Sequence, residues 1–163
     1  GFDRQTVQFD WRRYNEVLPG TVLALRGQWR ASFGGDSEFF YLGGPNDFRG
    51  VDWFALRGER TLLANVELRF PLVDHLALGF PFGGLSFPPI RGAVFHDTAL
   101  ITAASGITSI SAPFNDQRWL GSFGGSLTMT LFPPLVVRTD FARVHDFESL
   151  TNWRFDFSLS YLY

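Results

Sequence analysis

WRFDFSLSYLY, residues 153–163, places Trp153, Phe155, Phe157, Leu159, Tyr161 and Tyr163 at every second position. Alternate side chains of an extended strand point the same way, so these six make one apolar face. Arg154, Asp156, Ser158 and Ser160 make the other. An apolar face that stays aromatic to the last residue has to lie against something apolar.

The same two-faced pattern recurs along the chain, while no window carries the i, i+3, i+4, i+7 stripe of an amphipathic helix. Seven segments qualify as strands: 6–12, 21–33, 60–70, 90–100, 119–131, 135–144 and the terminal one. In 60–70, Leu62, Ala64, Val66, Leu68 and Phe70 oppose Asn65, Glu67 and Arg69. The polar faces together carry Arg26, Arg30, Glu67, Arg69, Arg91, Asp97, Arg138, Asp140 and Arg154, too many charges for a dry core. Two environments satisfy this. A soluble sandwich turns the charges to water; an outer-membrane barrel turns them into a wet lumen and its apolar side to lipid. Trp11, Trp29, Trp119, Trp153, Tyr161 and Tyr163 then fall at headgroup level.

Composition narrows the choice. The 163 residues are 45% apolar and 17% aromatic, with 19 Phe, which is ample for an ordered domain. Mean hydropathy is only +0.03, and no run of about 18 apolar residues exists to cross a membrane as a helix. Net charge is −2, and the 14 basic residues, all Arg, are scattered, so nucleic acid is not an expected partner. Without Cys there is no disulfide or thiol chemistry. The start, GFDRQTVQFD, has neither Met nor a signal segment and reads as a processed or truncated beginning.

Connection lengths alternate as they do in outer-membrane barrels, short on one side and long on the other. Residues 14–20 and 132–134 are short, whereas 34–59 and 101–118 are long and 145–152 is medium. The exception is 71–89, PLVDHLALGFPFGGLSFPP. Its position makes it periplasmic, and Pro81, Pro88 and Pro89 argue against a central strand. It reads as an insertion at the inner membrane interface, with an eighth strand as the alternative.

The stretch FYLGGPNDFRGVDWFALRGERTLLANVELRFPL, 40–72, followed by IRGAVFHDTALI, 90–101, resembles the C-terminal barrel of the Omp85 superfamily, also called bacterial surface antigen proteins. The words that carry the likeness are Leu42-Gly43-Gly44 and Phe48-Arg49-Gly50-Val51, then Asn65, Glu67, Arg69, Phe70 and Pro71, then Gly92, Phe95 and Asp97. Val51 stands where an aromatic residue is usual, and Ser158 where Gly is usual in the last strand. The resemblance covers most of 20–163 and implies that the 34–59 loop folds back into the lumen. There Arg49 would pair with Asp97, with Phe95 beside it and Glu67 as a competing partner. It also implies that Phe157, Leu159, Tyr161 and Tyr163 form a C-terminal assembly signal.

The expected fold is therefore an all-β, antiparallel transmembrane barrel, these residues being its last seven or eight strands, with a closed eight-stranded barrel as the alternative. The resemblance implies a bacterial outer-membrane protein engaged in assembly, insertion or translocation of other proteins. A passive structural or pore barrel anchoring a larger complex is the second reading. Outer-membrane lipid, earlier strands and periplasmic domains of the same chain, nascent outer-membrane proteins and other complex subunits are the implied partners.

No enzyme is expected. The three histidines are far apart in sequence, no HExxH or Cys/His set exists, and Ser105-Gly106 fits no nucleophile elbow. No metal or cofactor site is predicted. Asp97, Asp140 and Asp156 share a face with Arg91, Arg138 and Arg154 and read as a ladder of structural ion pairs.

Overall fold

The computed structural model of the chain describes residues 1, 3–74, 76–102, 118–132 and 135–161. Its strands are β1 (Gln5–Leu18), β2 (Thr21–Phe33), β3 (Phe40–Leu42), β4 (Leu56–Gly58), β5 (Arg60–Val73), β6 (Leu76–Phe80), β7 (Gly83–Phe87), β8 (Ile90–Thr102), β9 (Arg118–Phe132), β10 (Leu135–His145) and β11 (Arg154–Tyr161). Among the described residues there is no helix.

Seven of these strands form one antiparallel sheet in the order β1-β2-β5-β8-β9-β10-β11, a meander in which each strand pairs with the next. The sheet is not closed, and β1 and β11 are its edges. Strands β3–β4 and β6–β7 form two small ribbons of their own. The eighth-strand alternative for 71–89 is thereby corrected: 76–87 folds as a hairpin on itself, in register Leu76↔Phe87 to Phe80↔Gly83, and does not join the large sheet. Pro81 sits at its tip and Pro88-Pro89 ends it, positions where no ladder donor is needed.

Two further boundaries differ from the sequence reading. Strand β1 runs on through Tyr14, Asn15 and Glu16 to Leu18, so the first connection shrinks to Pro19-Gly20. Gly20 has φ 74°, the conformation that Pro-Gly supplies to a two-residue turn. The 34–59 connection is also not free of regular structure, because it contains the β3–β4 ribbon.

Burial follows the alternation in an inverted sense. On β5, Thr61, Leu63 and Glu67 are buried while Leu62, Ala64 and Val66 are exposed. On β8, Phe95, Asp97 and Ala99 are buried while Val94 and His96 are exposed. Phe155, Phe157 and Leu159 of β11 are exposed as well. The carboxylates of the seven strands, Asp10, Glu16, Glu67, Asp97, Asp140 and Asp156, all lie on the covered side by the pairing register.

The charged side is concave. A single cavity on that side is lined by Arg12 of β1, Arg26 of β2, Glu67 of β5 and Arg138 of β10, and Glu67 Oε2 lies 3.5 Å from Arg138 Nη2 across it. The 34–59 connection fills this hollow. Its Leu42, Phe48 and Leu56 pack with Leu63, Ala99, Ile101, Leu120 and Val144 of the sheet to form the apolar core, with Val51 against it.

Candidate functional site

The core of the site is set by register. Asn65 faces Asp97 and Glu67 faces Phe95 across the β5–β8 ladder. All four side chains are on the concave side, and directly opposed residues have Cβ atoms about 5 Å apart. They form a small square with two acids on one diagonal, an amide and a ring on the other.

Arg49 descends into that square from the loop. Its Nε donates to Asp97 Oδ2 at 2.7 Å and its Nη2 to Asp97 Oδ1 at 2.5 Å, a fork matched to the carboxylate. Its backbone N–H donates to Asp97 Oδ2 at 3.1 Å, and its Nη1 donates to Glu67 Oε2. Below the guanidinium lies Phe95, with Cζ 3.5 Å from the ring centroid. Asn65 Nδ2 completes the shell by donating to Asp97 Oδ1 and to the Asp47 carbonyl, both at 2.8 Å. Asp97 is fully buried and Arg49 nearly so.

Such a pair stabilises the loop because neither ion can be left alone. A buried ion pair gains little over an apolar pair of the same shape, but removing one partner strands the other. Glu67 is a shared acceptor here: Arg69 Nε donates to its Oε1 at 2.5 Å and Arg138 approaches its Oε2. Arg138 also donates from Nε to Asp140 Oδ1 at 2.9 Å, and Ser126 Oγ donates to the same carboxylate. Sequence reasoning placed Glu67 as a competitor of Asp97; the two acids bind Arg49 together.

The expected ladder is corrected at its first rung. Arg138 pairs with Asp140 and Arg154 with Asp156, but Asp97 is taken by Arg49, not by Arg91. Arg91 and Asp97 lie six residues apart along β8, roughly 20 Å, so sharing a face does not bring them together.

Glycines let the loop reach this depth. Gly43, Gly44 and Gly50 have φ of 128°, 95° and 84°. A Cβ on Gly50 would sit 2.9 Å from Val144 Cγ2 and 3.1 Å from Ala142 Cβ, so the backbone after Arg49 lies directly against β10. Leu42 and Phe48, flanking the glycines, are the buried anchors.

Ties that the sequence did not signal hold the loop at both sides. Arg26 of β2 donates from Nη1 to Asp47 Oδ1 at 3.0 Å and to the Asn46 carbonyl at 2.8 Å. Asp52 accepts from Arg154 Nη2 of β11 at 2.6 Å. Six residues of chain, Asp47 to Asp52, thus connect β2 to β11 through these two arginines. The charge alternation flags these arginines, but only the folded loop chooses their partners.

Beside the guanidinium lies a polar cavity of about 400 Å³, lined in part by Arg12, Tyr14, Arg26, Asp47, Glu67 and Arg69. A second, of about 310 Å³, shares Glu67, Arg69 and Arg138 and continues to Arg91, Ser158 and Ser160. The hollow on the side of the short turns is thus open to small polar molecules and water.

Of the terminal aromatic series, Phe157 and Leu159 project from the exposed side of β11. Tyr161 ends that strand and its side chain, like Tyr163, lies outside the described residues. His96 and His145 are distant in sequence, but their ring centroids are 5.9 Å apart. Among the described residues no group of three or more His, Cys, Asp or Glu could hold a metal ion. Comparison of the chain with protein-family models, curated proteins and solved structures returned no match.

Proposed function

We propose that the chain is part of an outer-membrane β-barrel of the Omp85 kind, with its exposed apolar side toward lipid and its charged concavity toward an aqueous lumen. The observation that carries this reading is the inversion of the faces: Arg49, Glu67, Asp97 and Asp140 are buried, and Phe155, Phe157, Leu159, Val94 and Val66 are bare. A soluble sandwich would bury the second set and hydrate the first. The Arg49–Asp97–Glu67 node, formed by the residues that carry the family resemblance, supports the same assignment. Strands joining the free edges of β1 and β11 would complete the barrel.

In this reading Arg49 fastens the loop as an internal plug, and the barrel serves the assembly, insertion or translocation of other outer-membrane proteins. The test is cellular. The natural full-length chain should fractionate with the outer membrane, require detergent for extraction and migrate differently before and after heating. Its depletion should lower the amounts of other barrel proteins in that membrane. Recovery in the soluble fraction without detergent overturns the barrel reading; an outer-membrane location with other barrels at normal levels overturns only the assembly role.

One observation favours the passive alternative. The loop is tied to β2 through Arg26 and to β11 through Arg154, so it bridges much of the sheet and resists spreading of the strands. A barrel anchoring a larger complex would copurify with fixed partner chains and leave other barrels unaffected on depletion.

A further inference from the structure

The outward side of the seven strands is nearly free of charge, and what it carries is one-signed. By register, Arg13, Arg60, Arg143, His96 and His145 face outward, and among the described residues no strand carboxylate does. Three of these five gather at one place. His96 of β8, Phe123 of β9 and Arg143 of β10 form a single lateral row, and the next row toward the loops is Thr98, Gly121 and His145.

Gly121 makes the gathering possible. A Cβ there would lie 2.2 Å from His145 Nε2, so the His145 ring rests on bare backbone and leans across β9 toward His96. Phe147 packs edge-on against the same ring at 4.7 Å. Trp153 stacks on Phe141 at 4.6 Å and meets Phe123 at 5.8 Å, giving the cluster an aromatic floor.

Among the described residues Arg143 makes one hydrogen bond, from Nε to the Thr151 carbonyl at 2.6 Å, with Cζ 6.0 Å from the Trp153 ring. Its terminal nitrogens have no acceptor among the described residues. Asp146, three residues on, is turned to the Ser149 and Glu148 amides, at 2.7 and 3.2 Å, and to Arg118. The patch therefore combines a guanidinium that has no carboxylate partner among the described residues, two imidazoles and a stack of rings, at the rim where β10 ends.

We infer that this patch binds the phosphate group of a lipid in the leaflet next to the long loops, its acyl chains lying on Phe141, Phe155 and Phe157. The inference rests on the barrel reading. A guanidinium suits phosphate because its planar donors match two oxygens, the imidazoles add further donors, and the ring cluster suits the boundary between headgroups and chains. The continuous apolar surface below the cations selects a lipid over a free anion, since each additional buried CH₂ contributes about 0.8 kcal/mol.

The test is native mass spectrometry of the natural full-length chain released from mixed micelles of diacyl phosphatidic acid and diacyl phosphatidylcholine. The wild-type chain should retain phosphatidic acid in preference. Arg143→Gln combined with His145→Gln should reduce that preference roughly tenfold, the scale of a lost charge-assisted hydrogen bond. Arg13→Gln, removing the outward arginine opposite Leu25, should leave it unchanged. Arg143→Gln alone serves if the double variant does not fold, and should weaken the preference in the same direction. An undiminished preference in a folded variant overturns the inference, as does displacement of bound lipid by millimolar inorganic phosphate. Equal retention of both lipids by the wild-type chain overturns this site and leaves the barrel reading standing. A chain that needs no detergent and retains neither lipid overturns both.

Discussion

The 34–59 loop and the 74–89 insertion are built alike and behave in opposite ways. Each connects two long strands, each is rich in Gly and aromatic residues, and each contains a small two-stranded ribbon. The first lies in the concavity with Phe48 fully buried, whereas the second projects with Leu78, Phe80 and Phe82 exposed. Their charges distinguish them. Loop 34–59 brings Asp47, Arg49 and Asp52 to partners on β2, β8, β5 and β11; residues 76–90 contain no charged side chain. A charged hollow accepts a segment that can pair its ions, and burial of Leu42, Phe48 and Leu56 follows from that docking.

The sharpest way to erase the contrast is Arg49→Ala. It leaves Asp97 buried without its cation, while Glu67 keeps Arg69 and Arg138, at a cost of about 3–5 kcal/mol. The 34–59 loop should then become as open to protease as the insertion, read by limited proteolysis and by denaturant unfolding in micelles. Arg49→Met with Asp97→Asn should recover part of the loss, because no unpaired carboxylate remains at position 97. An unchanged unfolding midpoint in Arg49→Ala would show that the ions do not hold the loop.

Exchanging one phenylalanine in each region compares the two directly. Phe48→Ala removes a buried ring and should cost about 3–5 kcal/mol, whereas Phe82→Ala should stay within about 0.5 kcal/mol. Equal effects would abolish the distinction. Next in size is Gly50→Ala, which forces a Cβ toward Val144 and Ala142 at φ 84°. A loss of about 1–3 kcal/mol is expected. Gly84→Ala, at the corresponding depth of the β6–β7 ribbon, meets only the Leu78 carbonyl at 3.6 Å and should be close to neutral.

The sheet was legible because period-2 alternation is local: β2 spans Thr21–Phe33 as read, and β5, β8, β9, β10 and β11 appear within a few residues of their expected bounds. Strand β1 overran its reading because Tyr14-Asn15-Glu16 lacks alternation, and the β2 ladder carries those residues regardless. The three-residue strands β3 and β4 are too short to show a period. Arg49 and Asp97 came into view through the family resemblance, since nothing local in the loop says which of its charges descends. The His96–His145 contact depends on a two-strand register and on an absent side chain at Gly121, neither of which is written in the neighbourhood of either histidine.

The smallest effect separates the rim of the docked loop from its centre. The Arg154 guanidinium, donating to Asp52, holds that carboxyl below the usual carboxylate range. A carboxyl whose folded pKa is lowered adds its stability above the unfolded value, near 4, and loses it as pH falls through the lowered value. Asp52 is solvent-exposed, so salt screens the contact and the loop should stay docked when the contact is lost. NMR titration of the Asp52 carboxyl should give a midpoint below that of an ordinary aspartate, and Arg154→Gln should raise it toward the ordinary value. Protease resistance of 34–59 should persist in Arg154→Gln and vanish in Arg49→Ala; if both variants open the loop equally, the rim tie and the buried node share the work, and the loop is held by a single cooperative latch.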